Sequence, residues 1–144
     1  MTAVLIVHAA ATLFMVGLIW FVQVVHYPLM ARAAGPGFAA LAADHRRLTG
    51  YVVGPPMIVE AVTAVALVVS PPDGVSVGQA ALGLGLLAVV WASTALLQAP
   101  RHRELARGFD AGAHRRLVVG NRLRTAAWTA RGAVVMWMLA TALG

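Results

Sequence analysis

Four long apolar stretches, the scarcity of charge inside them and arginines gathered on one side predict an all-α fold, a four-helix transmembrane bundle built from two hairpins. The 144-residue chain is 60% hydrophobic and only 11% charged. Its mean hydropathy of +0.81 exceeds that of soluble domains of similar size. No polar, proline-rich segment is long enough for a second domain, so residues 1–144 read as one integral membrane unit. Cysteine is absent, which excludes disulfides, thiol redox chemistry, thiol-linked haem and cysteine-rich zinc sites.

The first span is expected over residues 4–27. A secretory signal would have a basic start and a shorter apolar core. Here no Lys or Arg precedes the run, and Gln23 and His26 lie within it, so it reads as a spanning helix closed by Pro28. The second span, 52–69, is expected to open at Pro55 and Pro56, whose fixed φ and missing N–H suit a first helical turn. It ends at the turn cluster Ser70, Pro71, Pro72, Asp73 and Gly74. The third, 77–97, carries Gly83 and Gly85 among alanines, which permit close helix approach or self-association, and stops before Pro100. The fourth, 117–143, has no charge after Arg131 but carries a polar row of Asn121, Arg124, Thr125, Trp128 and Arg131. Steps of three and four put that row on one helix face, climbing about 15 Å.

All eleven basic side chains are arginines. Arg32, Arg46 and Arg47 separate spans one and two, and Arg101, Arg103, Arg107, Arg115, Arg116 and Arg122 lie between or beside spans three and four. The positive-inside rule then makes both arginine-rich loops cytoplasmic and both termini external, in a plasma membrane or bacterial inner membrane. Anionic lipid headgroups are the expected partners of these arginines. No basic surface interleaved with aromatics accompanies them, so nucleic acid is not an expected partner. His45 to Leu48 and His114 to Leu117 both spell HRRL, a weak sign of internal duplication about an axis along the membrane normal.

An arginine within a span costs roughly 2.5 to 3.5 kcal/mol unless a partner or wet cavity offsets it. Glu60 is the one acid inside a span, and Arg124 and Arg131 are the cations able to reach it. Two compatible roles follow: a structural ion pair, or a carboxylate base with Arg124 or Arg131 holding a substrate oxyanion. Its position about one turn past the prolines would place it near the arginine-rich side, level with polar residues of every span. Span one adds Trp20, Gln23, His26 and Tyr27, and span three adds Trp91, Thr94 and Gln98, with His102 beyond Pro100. A common polar pocket in the cytoplasmic half is therefore expected. Its candidate catalytic residues are Glu60, His26, Arg124, Arg131 and Asn121, the last also readable as a helix cap. Its candidate substrate-binding residues are Gln23, Tyr27, Trp91, Gln98 and Trp128. His26, His45, Glu60 and His102 are the metal candidates, although none shows the tight spacing of a zincin. Haem between His26 and His102 ranks below a metal, and no cofactor is the leading expectation. His114 beside two arginines reads as part of a solvated face.

The segment from Trp91 to Arg131 resembles the carboxy-terminal half of the anthrone-oxygenase-like family of small four-span membrane proteins. Pro100, His102, Leu105, Asn121, Arg124, Thr125, Trp128 and Arg131 carry the resemblance, and His26 to Met30, His45 and Glu60 match less distinctively. The family implies oxygenation of a reduced aromatic compound without a dedicated flavin or haem. Glu60 or His26 would then act as base, and Arg124, Arg131 and Asn121 would steady the oxyanion. The alternative is a noncatalytic accessory or assembly subunit, alone or as a homo-oligomer, with Glu60 and Arg131 a structural clasp. A lipophilic small molecule is the ligand class on the first reading.

Overall fold

A computed structural model describes residues 1–144 as four helices and no strands. We label them α1 (Thr2–Arg32), α2 (Phe38–Val69), α3 (Val77–Leu105) and α4 (Ala111–Leu143), each long and apolar enough to cross a membrane. At about 1.5 Å per residue they run roughly 45 Å, well beyond the ~20 residues that a hydrocarbon core requires. The surplus lies at the arginine-rich end, where α1 meets α2 and α3 meets α4. Large apolar side chains such as Ile6, Phe14, Phe21, Val62, Leu96 and Trp137 face outward, as lipid-facing residues do.

Local chemistry sets the helix starts. Asp110 accepts a hydrogen bond from the Ala113 amide at 2.5 Å and caps α4. Ser76 and Gln79 form a reciprocal capping box at the start of α3, with bonds of 3.2 and 2.7 Å. In the hairpin between α2 and α3, Gly74 has φ +80°, and a Cβ there would stand 2.0 Å from the Thr141 carbonyl oxygen. Only glycine fits against the end of α4 in that conformation.

Three proline expectations are corrected. Pro55 and Pro56 do not open the second helix; they lie inside α2, which begins at Phe38. The stretch Phe38 to Val53 is too charged to stand out as a span, yet it lacks any breaker before Gly50, so helix propagates through it. Pro28 and Pro100 end neither α1 nor α3. Each follows a π-helical turn, Val22–His26 in α1 and Thr94–Gln98 in α3, with the same spacing in both. A helical proline lacks a donor and crowds the carbonyl four residues back, Val24 or Leu96, and both of these lie in the widened turns. The two hairpins thus share a π turn, a proline and an HRRL segment in the same order.

Three apolar layers stack along the bundle. The layer nearest the chain termini contains Leu5, Leu67, Val134 and Met138. Met15, Ile19, Met57, Val90 and Trp128 form the middle layer. Tyr27, Phe38, Leu105 and Leu117 form the layer at the arginine-rich end. Two polar strata lie between these layers.

Candidate functional site

The stratum between the terminal and middle layers is a clasp built on Arg131. Its Nη2 donates to Glu60 Oε1 at 3.0 Å and its Nε to the same oxygen at 3.3 Å, while Nη1 donates to the Gly83 carbonyl. Glu60 Oε2 accepts from Trp128 Nε1 at 3.1 Å. Nη2 also lies 3.5 Å from both Thr12 Oγ1 and His8 Nε2. Both charged side chains are buried, at 1% and 0% exposure. Arg131 therefore joins all four helices: its own α4, α2 through Glu60, α3 through Gly83 and α1 through Thr12 and His8.

The histidine tautomer follows from its neighbours. Thr63 Oγ1 gives its proton to the Val59 carbonyl at 2.5 Å, so the His8 Nδ1–H must donate to Thr63 Oγ1, 2.7 Å away. Nε2 is then an acceptor facing the Arg131 guanidinium. His8, Thr12 and Thr63 were not among the expected site residues. Their sequence signal was a His and Thr one turn apart on an otherwise apolar face.

The second stratum contains Arg124, which Glu60 does not reach. The Arg124 Nη1 donates to Asn121 Oδ1 at 3.2 Å, and Asn121 Nδ2 donates to Gln23 Oε1 at 3.0 Å. Its guanidinium carbon lies 5.1 Å from the centre of the Trp128 ring. Asn121 is thus a mid-helix hydrogen-bonding residue and not a cap, because Asp110 caps α4. Trp128 is the wall between the strata, bonded to Glu60 on one side and stacked with Arg124 on the other.

Beside Arg124 lies a cavity of about 230 Å³. Met15, Leu18, Ile19, Val22 and Val53 make its apolar wall; Tyr27, His45, Thr49, Gln98, His102 and Arg124 make its polar wall. Tyr27 Oη lies 3.2 Å from His102 Nε2, and Thr49 Oγ1 lies 3.1 Å from His45 Nδ1. His26 stacks on His45 with ring centres 4.2 Å apart, and His45 lies 5.4 Å from His102. Buried and without partners are His26 Nε2, Gln98 Oε1 and Arg124 Nε.

The expected single pocket therefore divides. Gln23, His26, Tyr27, Gln98, Asn121 and Arg124 gather around or behind the cavity, with His45 and His102. Glu60 and Arg131 stand apart in the clasp, because Glu60 lies nearer the Val69 end of α2 than a helix starting at the prolines implied. Trp91 is 43% exposed and does not line the cavity. Trp20 also faces outward, donating to Thr129 Oγ1 at 3.1 Å. The four metal candidates do not assemble, since Glu60 is committed to Arg131 and Trp128, and no three histidine or acidic side chains are placed to hold a metal ion. His45 fills the space between His26 and His102 that a haem would need. His114 is not simply solvated: its Nε2–H donates to the Tyr27 carbonyl at 2.9 Å and holds α4 against α1.

No family model, curated protein or solved structure matches the chain.

Proposed function

We propose that the cavity at the arginine-rich end binds a lipophilic small molecule and performs base and oxyanion chemistry on it. The observation that carries this reading is the pairing of His45 and His102 with Arg124 around a space otherwise walled by hydrocarbon. An imidazole can accept a proton, and a buried guanidinium can hold the oxyanion that results. Glu60 leaves the catalytic role, because both its oxygens are engaged by Arg131 and Trp128. Trp128 touches both strata, bonded to Glu60 and lying against Arg124.

The resemblance to anthrone-oxygenase-like proteins gives this chemistry a specific form. An activated methylene loses a proton to His102, and the enolate oxygen rests against Arg124. Dioxygen is the oxidant: the methylene becomes a carbonyl containing one oxygen atom, and the other departs as water with the two methylene hydrogens. Oxygen uptake by the purified protein with phenylpyruvate, a single ring bearing an activated methylene, as probe tests it. His102→Gln and Arg124→Gln should each abolish uptake, whereas joint replacement of Glu60 and Arg131 by leucine should spare it. An inactive wild-type protein would sink the oxygenase reading.

The clasp itself favours a second reading, a noncatalytic accessory subunit, for which a pair joining four helices is a sufficient reason to retain both charges. On either reading we infer that the arginine-rich end is cytoplasmic, in a plasma or bacterial inner membrane, with its arginines against anionic headgroups. The chain has no cysteine, so Ser70→Cys and Arg107→Cys report sidedness cleanly. Membrane-impermeant thiol reagent added outside intact cells should label the first only.

A further inference from the structure

The interior contains one more positive charge than the protein neutralises. Glu60 is matched by Arg131. Of the other acids, Asp44 pairs with Arg47, Glu104 with Arg101 and Arg116, and Asp110 caps α4. Asp73 lies in the α2–α3 hairpin, at the opposite end of the bundle from the cavity. Arg124, 8% exposed, is left with no carboxylate. Cation–π contact with Trp128 and one bond to Asn121 offset only part of the penalty for burying a charge.

The geometry of the vacant donors narrows what can complete the site. Asn121 occupies Nη1, so the free edge of the guanidinium is Nε–H with Nη2–H. Arg131 uses that same edge to grip Glu60. It is a planar two-donor fork that fits a carboxylate. Gln98, 2% exposed and on the same cavity wall, has an unpartnered acceptor and so adds no donor for an anion. Its amide nitrogen faces the Leu117 carbonyl at 3.5 Å, which leaves Oε1 unpartnered.

We propose that the cavity takes a lipophilic carboxylic acid, bound as its anion by the Nε/Nη2 edge of Arg124 with its hydrocarbon against Met15, Ile19 and Val53. This rests on the cavity being the ligand site proposed above and names the ligand class. A cavity of about 150 Å³ accommodates benzene, so the ~230 Å³ here fits one ring with a short acid-bearing arm. Arg46 and Arg103 also line the cavity and draw anions toward it.

The test is titration calorimetry of the full chain in neutral detergent with phenylpropanoate, phenylpropanamide and phenylpropylamine, which share one hydrocarbon. The acid should bind at least tenfold more tightly than either other probe. Arg124→Gln should erase that preference and also raise the melting temperature of the ligand-free protein, because an unmatched buried charge is gone; a purely structural arginine would lower it. Arg124→Lys, which keeps the charge without the fork, should retain only part of the preference. Arg122→Gln, on the exposed face, should leave it intact. Val53→Trp enlarges a side chain of the apolar wall, and Gly50→Leu adds one at the lining where a Cβ meets nothing within 4 Å; each should weaken binding of the acid at least tenfold. Equal affinity for acid and amide, with both weakened in Val53→Trp and Gly50→Leu, would overturn the acid assignment and leave the ligand site standing. A preference surviving Arg124→Gln but lost on replacing Arg46 and Arg103 would move the anion to the mouth and also overturn it. If none of the three probes binds, the ligand site fails with it.

Discussion

The two buried arginines sit one above the other on α4 and do different work. Arg131 is engaged by groups from the three other helices, so its pair with Glu60 is a structural element whose loss is felt through the uncompensated partner. Glu60→Leu alone should cost about 3 to 5 kcal/mol, as should Arg131→Leu, whereas the double replacement should recover most of the loss. Thermal unfolding in mild detergent measures this. Trp128→Phe keeps an aromatic ring against Arg124 but removes the donor to Glu60 Oε2, which should cost about 1 to 3 kcal/mol of stability. An ion pair between Glu60 and an arginine of α4 was readable because a lone acid among apolar residues needs a cation. Both Arg124 and Arg131 lie on one helix face, so the choice of Arg131, named in the clasp reading, depends on the height of α2.

At the element scale, the height of α2 follows from its prolines. Proline usually marks a helix start or stop, but α1, α2 and α3 continue through Pro28, Pro55–Pro56 and Pro100. Hydropathy then located the apolar part of α2 and missed the charged first half, Phe38 to Val53, that brings His45 and Thr49 to the cavity. Four helices, their order and the α2–α3 turn were legible, because apolar length and the Ser-Pro-Pro-Asp-Gly cluster are signals local to the chain. Helix ends marked by capping chemistry should be fragile in proportion. Asp110→Ala should lower stability by about 1 kcal/mol. Gly74→Ala should cost more, because the left-handed backbone and the Thr141 carbonyl both oppose a Cβ; comparison of melting curves for the two variants checks the order.

Across the whole molecule, the buried charged side chains lie in two strata separated by apolar layers, while the outer surface between the helix ends is largely hydrocarbon. The terminal stratum is closed on itself and the other opens into a cavity, so stability and ligand recognition occupy different depths and meet only at Trp128. This division predicts that the double leucine variant of the clasp keeps its preference among the three probe ligands even where its melting temperature shifts. Calorimetry on that variant decides the matter. The division was not legible in sequence, because residues from separate spans could be compared only by estimated depth. The widened turns in α1 and α3 add a constraint on the chain's arithmetic. Each one accommodates the equivalent of a single extra residue, so excising Val24 would restore an ordinary spiral with His8 and Thr12 still on their present face relative to Tyr27. Excising Gly17, in the regular part of α1, would instead turn everything before it by about 100° and swing His8 and Thr12 toward lipid, so the deletion at the widened turn should be the milder of the two.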